Sequence, residues 1–151
     1  MDKSKVREEL ETAVKNTHEK YDNFQGVCVF GSFVTDKENP TDLDLVPVLR
    51  EYGGNWDFSP VSESGYEDEH PDYKLWEEIE AFFASHFSAE SYEAVFKTSR
   101  KTGLIHLESL VALDNPALLK SELERYGAKP ENFIGTEEAG TKIREIFSIS
   151  F

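Results

Sequence analysis

Apolar side chains recur at two different spacings along this chain, and the switch between them marks out its elements. From residue 3 to 20 they fall about four apart, at Val6, Leu10 and Val14, with Ala13 alongside. This spacing draws a narrow apolar stripe down one face of a helix. Arg7, Glu8, Glu9 and Glu11 lie on its wet side, and Ser4 is a candidate N-cap. Tyr21 to Gln25 reads as a connector. His18, near the helix C-terminus where a cation is favoured, reads as a surface residue. Cys28-Val29-Phe30 is a short apolar run, the pattern of a strand buried on both faces. Gly31-Ser32 breaks that run where a backbone without a side chain is useful. A second strand then opens in strict alternation, Asp42-Leu43-Asp44-Leu45, and runs on to Leu49. Side chains two apart on a strand share a face, so Asp42 and Asp44 project together while Leu43 and Leu45 turn to the core.

The second half follows the same logic. Residues 50 to 72 have no usable periodicity and are rich in Gly, Ser, Pro and acid. Structureless segments of that length are uncommon in compact domains. Tyr52, Trp56, Phe58 and Tyr66 are costly to expose, so part of the segment packs, as a loop over the core or a lid on a nucleobase. Asp72 to Phe87 is the clearest helix, capped by Asp72, with Leu75, Trp76, Ile79, Phe82, Phe83 and Phe87 forming a broad apolar face. His86 at its end reads as a surface residue compatible with the helix dipole. Ser91 to Thr98 predicts a strand with Tyr92, Ala94 and Phe96 on one face and Glu93, Val95 and Lys97 on the other. After the turn at 99–103, residues 104–107 make a further strand and close a hairpin with it. Asn115 and Pro116 start a helix that runs through Tyr126 and stops at Gly127. Thr136 caps another, with Glu137 and Glu138 in its first turn and Ile143 and Ile146 inward. The expected fold class is α+β: one domain over residues 1–151, with a small mixed or antiparallel sheet, flanking helices and a C-terminal helical segment that can stand partly apart.

Composition narrows the function classes. Hydrophobic residues make up 38% of the chain and aromatics 13%, enough to build a core without staples. The one cysteine, Cys28, excludes an intramolecular disulfide framework and falls within an apolar strand, which argues for a buried structural thiol. No segment approaches a membrane span, and the charged first sixteen residues lack the apolar stretch of a signal peptide, so a cytoplasmic location is expected. Thirty acidic against sixteen basic residues give a net charge of −14, which opposes a polyanionic partner such as DNA or RNA. Histidines at zincin-type spacing are absent from the sequence, which argues against a zinc site.

Asp42 and Asp44 carry the chemistry. Two carboxylates held side by side repel each other and call for a shared proton or a hard cation. Oxygen-only ligation with one or two carboxylates suits Mg2+, which completes its shell with substrate phosphates. A Gly-Ser turn opening a helix would offer backbone N–H groups to the same phosphates.

At Phe30-Gly31-Ser32, nine intervening residues, then Asp42-Leu43-Asp44-Leu45, the chain resembles the DNA polymerase beta-like nucleotidyltransferase superfamily, especially its minimal single-domain members. The gap is at the short end for that motif, and Pro40 within it limits the intervening helix to one or two turns. The resemblance implies a nucleotidyltransferase-like fold and transfer of a nucleoside monophosphate, AMP from ATP by preference, to a hydroxyl on a protein or small molecule. It implies two Mg2+ ions at Asp42 and Asp44, with a third carboxylate on a neighbouring strand. Glu93, followed by Ala94-Val95-Phe96, resembles that element, and Glu108 is the fallback. Gly31 and Ser32 would hold the outgoing pyrophosphate portion. Arg100 and Lys101, the adjacent basic pair of an acidic chain, either contact phosphates or are ordinary turn residues. Small members of the superfamily are often antitoxins, so a helical toxin is one acceptor the resemblance suggests. A catalytically degenerate protein-binding module is the alternative, and a missing third carboxylate would favour it.

Overall fold

The computed structural model describes residues 3–35, 43–51, 71–91, 106–107 and 111–148, with backbone alone at 71–77 and 106–107. The chain is α+β. Helix α1 (Lys3–Lys20) leads into β1 (Phe24–Phe30), a one-turn 3-10 helix at Gly31–Val34, and β2 (Asp44–Leu49). Helix α2 (Pro71–Ala84) follows, then β3 (His106–Leu107), β4 (Val111–Ala112), α3 (Pro116–Arg125), β5 (Phe133–Gly135) and α4 (Glu137–Phe147).

The sheet is mixed. Its order is β3-β2-β1-β5, with β4 also on β2. β1 pairs antiparallel with β2 in a register that sets Phe30 opposite Asp44 and Cys28 opposite Val46. β5 pairs antiparallel with β1 on its other side. β3 and β4 run parallel to β2, with Asp44 opposite His106 and Val48 opposite Val111. A parallel neighbour requires a crossover of a dozen residues or more, and the chain between β2 and β3 contains α2.

Two cores result, one on each face of the sheet. Val27 and Val29 of β1 and Leu43, Leu45 and Leu49 on the β2 side join Val6, Leu10, Ala13 and Val14 of α1, with Ile79, Phe83 and Phe87 from α2 and the turn after it. Cys28, Val46 and Val48 point the other way, to Leu119 and Leu123 of α3 and Ala139, Ile143 and Ile146 of α4. Helices on both faces explain why β1 reads as a continuous apolar run. The expected α1 stripe and the inward turn of Leu43 and Leu45 are both present. Cys28 is buried, and burial pushes its thiol up to about 12.

Several local expectations give way. α1 begins at Lys3, so Ser4 lies within its first turn. α2 begins at Pro71, whose missing N–H costs nothing at a first helical position, and Asp72 follows it inside the helix. β1 takes in Phe24 and Gln25, both fully buried, from the expected connector. His18 is half-buried, with Nδ1 2.7 Å from the Phe24 carbonyl oxygen. His86 is also half-buried, with Nδ1 2.8 Å from the Phe82 carbonyl oxygen and its ring edge-on to Phe82. Each histidine ring nitrogen lies within hydrogen-bond distance of a main-chain carbonyl near a helix end or strand start. Ser91 is helical where a strand was expected to begin; its N–H donates to Ser88 Oγ at 3.2 Å, as in a capped turn. The rest of that strand lies outside the described residues.

The expected C-terminal caps are present. Asn115 Oδ1 accepts from the Leu118 N–H, and Thr136 Oγ1 from the Ala139 N–H. Helix α3 stops one residue short of Tyr126, and Gly127 turns the chain at φ +70°. This segment does not stand apart, because β5 is hydrogen-bonded into the sheet and Thr136 Oγ1 donates to Gln25 Oε1 at 2.9 Å.

Candidate functional site

β1 ends at the sheet's rim, and Gly31 turns the chain there at φ +75°, a backbone region that side-chain-bearing residues rarely adopt. A one-turn 3-10 helix follows over Gly31–Val34, and the rest of the gap to Asp42 lies outside the described residues. Three contacts fix this turn. Phe33 is buried in the α1 core, anchoring the turn from below. Thr35 Oγ1 donates to the Ser32 carbonyl at 2.8 Å. Lys3 Nζ donates to the Thr35 carbonyl at 2.8 Å and lies 5.9 Å from the centroid of the Phe33 ring, tying the turn to the start of α1.

Asp44 meets this turn directly. It is the first residue of β2 and half-buried, and its Oδ2 stands over the Gly31 Cα, where any Cβ at position 31 would collide with it. The Gly-Ser bend and one of the two predicted acids are therefore in contact. Gly31 is exposed and Ser32 half-buried, so the bend faces solvent on its outer side.

Of the residues named from the sequence, Gly31, Ser32 and Asp44 fall in this one place. Asp42, Glu93, Glu108, Arg100 and Lys101 lie outside the described residues, as does nearly all of the expected lid. Among the described residues no group of three or more His, Cys, Asp or Glu is placed to hold a metal ion. Nor is any described helix long and apolar enough to cross a membrane.

Sequence reasoning missed the aromatic border of this site. Phe30, the cross-strand partner of Asp44, packs on Tyr126 with ring centroids 5.5 Å apart and planes at 30°. The Arg125 guanidinium lies 5.2 Å from the Tyr126 centroid. Nothing in the chain's periodicity joins residues 30 and 126. The strand register and the packing of α3 do so.

Residues 3–108 match the model of a family described as "Family of unknown function (DUF6932)". This chain belongs to the DUF6932 family. The DUF6932 segment runs from the first residue of α1 to just past β3, and so includes Gly31, Ser32, Asp42, Asp44 and Glu93. Helices α3 and α4, with Tyr126 and Arg125, follow it. No curated protein and no solved structure matches the chain.

Proposed function

We propose that this protein is a metal-dependent nucleotidyltransferase that moves AMP from ATP to a hydroxyl on a protein or small molecule. The observation that carries the reading is the contact between the Asp44 carboxylate and the Gly31 bend. It joins a hard oxygen donor to the turn that the superfamily resemblance assigns to phosphate. The fit to Mg2+ rests on the same contact: an oxygen ligand at the rim, above a cradle that a Cβ would fill.

Asp44 and Asp42, two residues apart in the sequence, are the ligands of the two Mg2+ ions, with Glu93 as the third carboxylate. Bound there, Mg2+ would neutralise the triphosphate and stabilise the attacking and leaving oxygens of an in-line displacement. Glu93 takes the proton of the acceptor hydroxyl as its oxygen bonds to the α-phosphorus. The bond from that phosphorus to the bridging oxygen breaks, and pyrophosphate leaves. Gly31 and Ser32 hold the departing pyrophosphate, with Arg100 and Lys101 as further phosphate contacts. The rest of the protein's contribution is positioning, as in other phosphoryl transfers. A net charge of −14 favours a protein or small-molecule acceptor over a nucleic-acid end, and a helical toxin paired with this chain as its antitoxin is one such protein.

The test is incubation with α-phosphate-labelled ATP and Mg2+ against a panel of acceptors, including the protein itself and the product of the neighbouring gene. Label should transfer, chelation of the metal should stop it, and Asp42→Asn or Asp44→Asn should lower it roughly a hundredfold or more. Equal labelling by wild type and both variants would refute the enzyme. A partner that is retained without labelling, and regardless of Asp44→Asn, would establish the binding-module reading instead.

A further inference from the structure

The two ends of the Gly31–Val34 turn are held by different parts of the chain. At its start, the Asp44 carboxylate stands over the Gly31 Cα. At its end, Thr35 closes it twice on one oxygen: the Ser32 carbonyl accepts from the Thr35 N–H at 3.3 Å and from Thr35 Oγ1 at 2.8 Å. The Thr35 carbonyl in turn accepts from Lys3 Nζ at 2.8 Å, across 32 residues of sequence. The same ammonium lies 5.9 Å from the centroid of Phe33, the buried residue inside the turn. Lys3 is the first residue of α1, and Val6, one helical turn on, is buried in the core. The start of α1 is therefore a fixed post, and one charged donor reaches from it to the end of the bend. Charge-assisted hydrogen bonds of this kind are about twice as strong as neutral ones.

We propose that Lys3 is a positioning residue for the phosphate end of the nucleotide, locking the bend through Thr35 so that Gly31 and Ser32 meet the phosphates already in place. The proposal rests on the nucleotidyl-transfer reading and adds to it the residue that pre-orders its phosphate turn. The bend needs such a restraint. Gly31 is exposed and has no side chain to pack, and glycine has more backbone freedom to lose than any other residue. Freedom still present in the free protein is lost on binding, at roughly a factor of ten in affinity for each residue ordered. A turn fixed beforehand avoids that loss. Lys3 and Thr35 both lie within the DUF6932 segment, together with the bend they hold.

The test measures equilibrium binding of Mg-ATP and of Mg-tripolyphosphate to the full chain. Lys3→Met, which keeps an unbranched stem and loses the ammonium, should weaken both ligands to the same degree, roughly tenfold, because the phosphates are what they share. Lys3→Arg, which keeps a charged donor, should bind both like wild type. Amide hydrogen exchange without ligand reads the bend itself. The Thr35 N–H should exchange several-fold faster in Lys3→Met, while that of Val46, buried in β2, keeps its wild-type rate. Unchanged binding or unchanged Thr35 exchange in Lys3→Met would overturn the proposal, and so would an arginine variant as weak as the methionine one. Equal acceleration at Thr35 and Val46 would mark a general loss of stability and overturn it too. Each of these results leaves nucleotidyl transfer standing. A wild-type protein that binds neither ligand would overturn both.

Discussion

Gly31 and Cys28 illustrate how much a single position can be constrained. Gly31 is required by its positive φ and again by the Asp44 oxygen that fills the space of a Cβ. Its place at the end of an apolar run was visible in the sequence; the second constraint needed the strand register. Cys28 sits with no exposure between β1 and the α3–α4 layer, and desolvation raises its pKa from an ordinary 9.0 to about 12. The folded chain therefore holds a proton that the unfolded chain releases between those values. The thiol's contribution to stability is complete below pH 9 and lost as pH rises toward 12. Denaturant melts across that window should show falling stability, and a Cys28→Ala variant should show a shallower fall. At pH 8 the native thiol should resist a disulfide reagent and react once the chain is unfolded. An equal slope in the two proteins would exclude Cys28 as the titrating group.

The elements owe their boundaries to residues of two kinds. Caps are local and were legible: Asn115 and Thr136 each accept from a backbone N–H three residues on. Starts set by tertiary packing were not. Phe24 and Gln25 belong to β1 because the sheet and the Thr136 hydroxyl have a use for them, not because their types announce a strand. Thr136 consequently has two roles, capping α4 and satisfying the fully buried Gln25. Thr136→Ala should destabilise the protein by about 2 kcal/mol, above the ~1 kcal/mol typical of a lost cap, since a buried amide oxygen also loses a donor. Thr136→Ser should restore most of it. Chemical denaturation of the three proteins measures the difference, and a loss confined to a few tenths of a kcal/mol would remove the Gln25 contact from the account.

At the scale of the molecule, a net charge of −14 on 151 residues means that folding compresses like charges. Among the described residues the ion pairs Lys5–Glu90 and Arg7–Glu11 are exposed, and such pairs contribute little. Screening should therefore matter more than the ion pairs it weakens. Raising salt from about 10 mM to about 150 mM should raise the melting temperature by a few degrees, roughly the shift of 1 kcal/mol in a chain of this size. Thermal melts in sodium chloride check this, and a fall with salt would show that the ion pairs outweigh the repulsion.

What the sequence alone determined is whatever depends on neighbours along the chain: the α1 stripe, the inward Ile79, Phe83 and Phe87, the buried character of β1, the inward turn of Leu43 and Leu45, the caps of α3 and α4. Periodicity and capping are local, because backbone hydrogen bonding repeats every two or about four residues. Tertiary structure decided what depends on distant neighbours. It laid β3 and β4 parallel to β2, drew β5 into the sheet, and set Asp44 against Gly31 and Phe30 against Tyr126. Those contacts depend on strand register and on which helix covers which face, and both are settled by burying the two cores together.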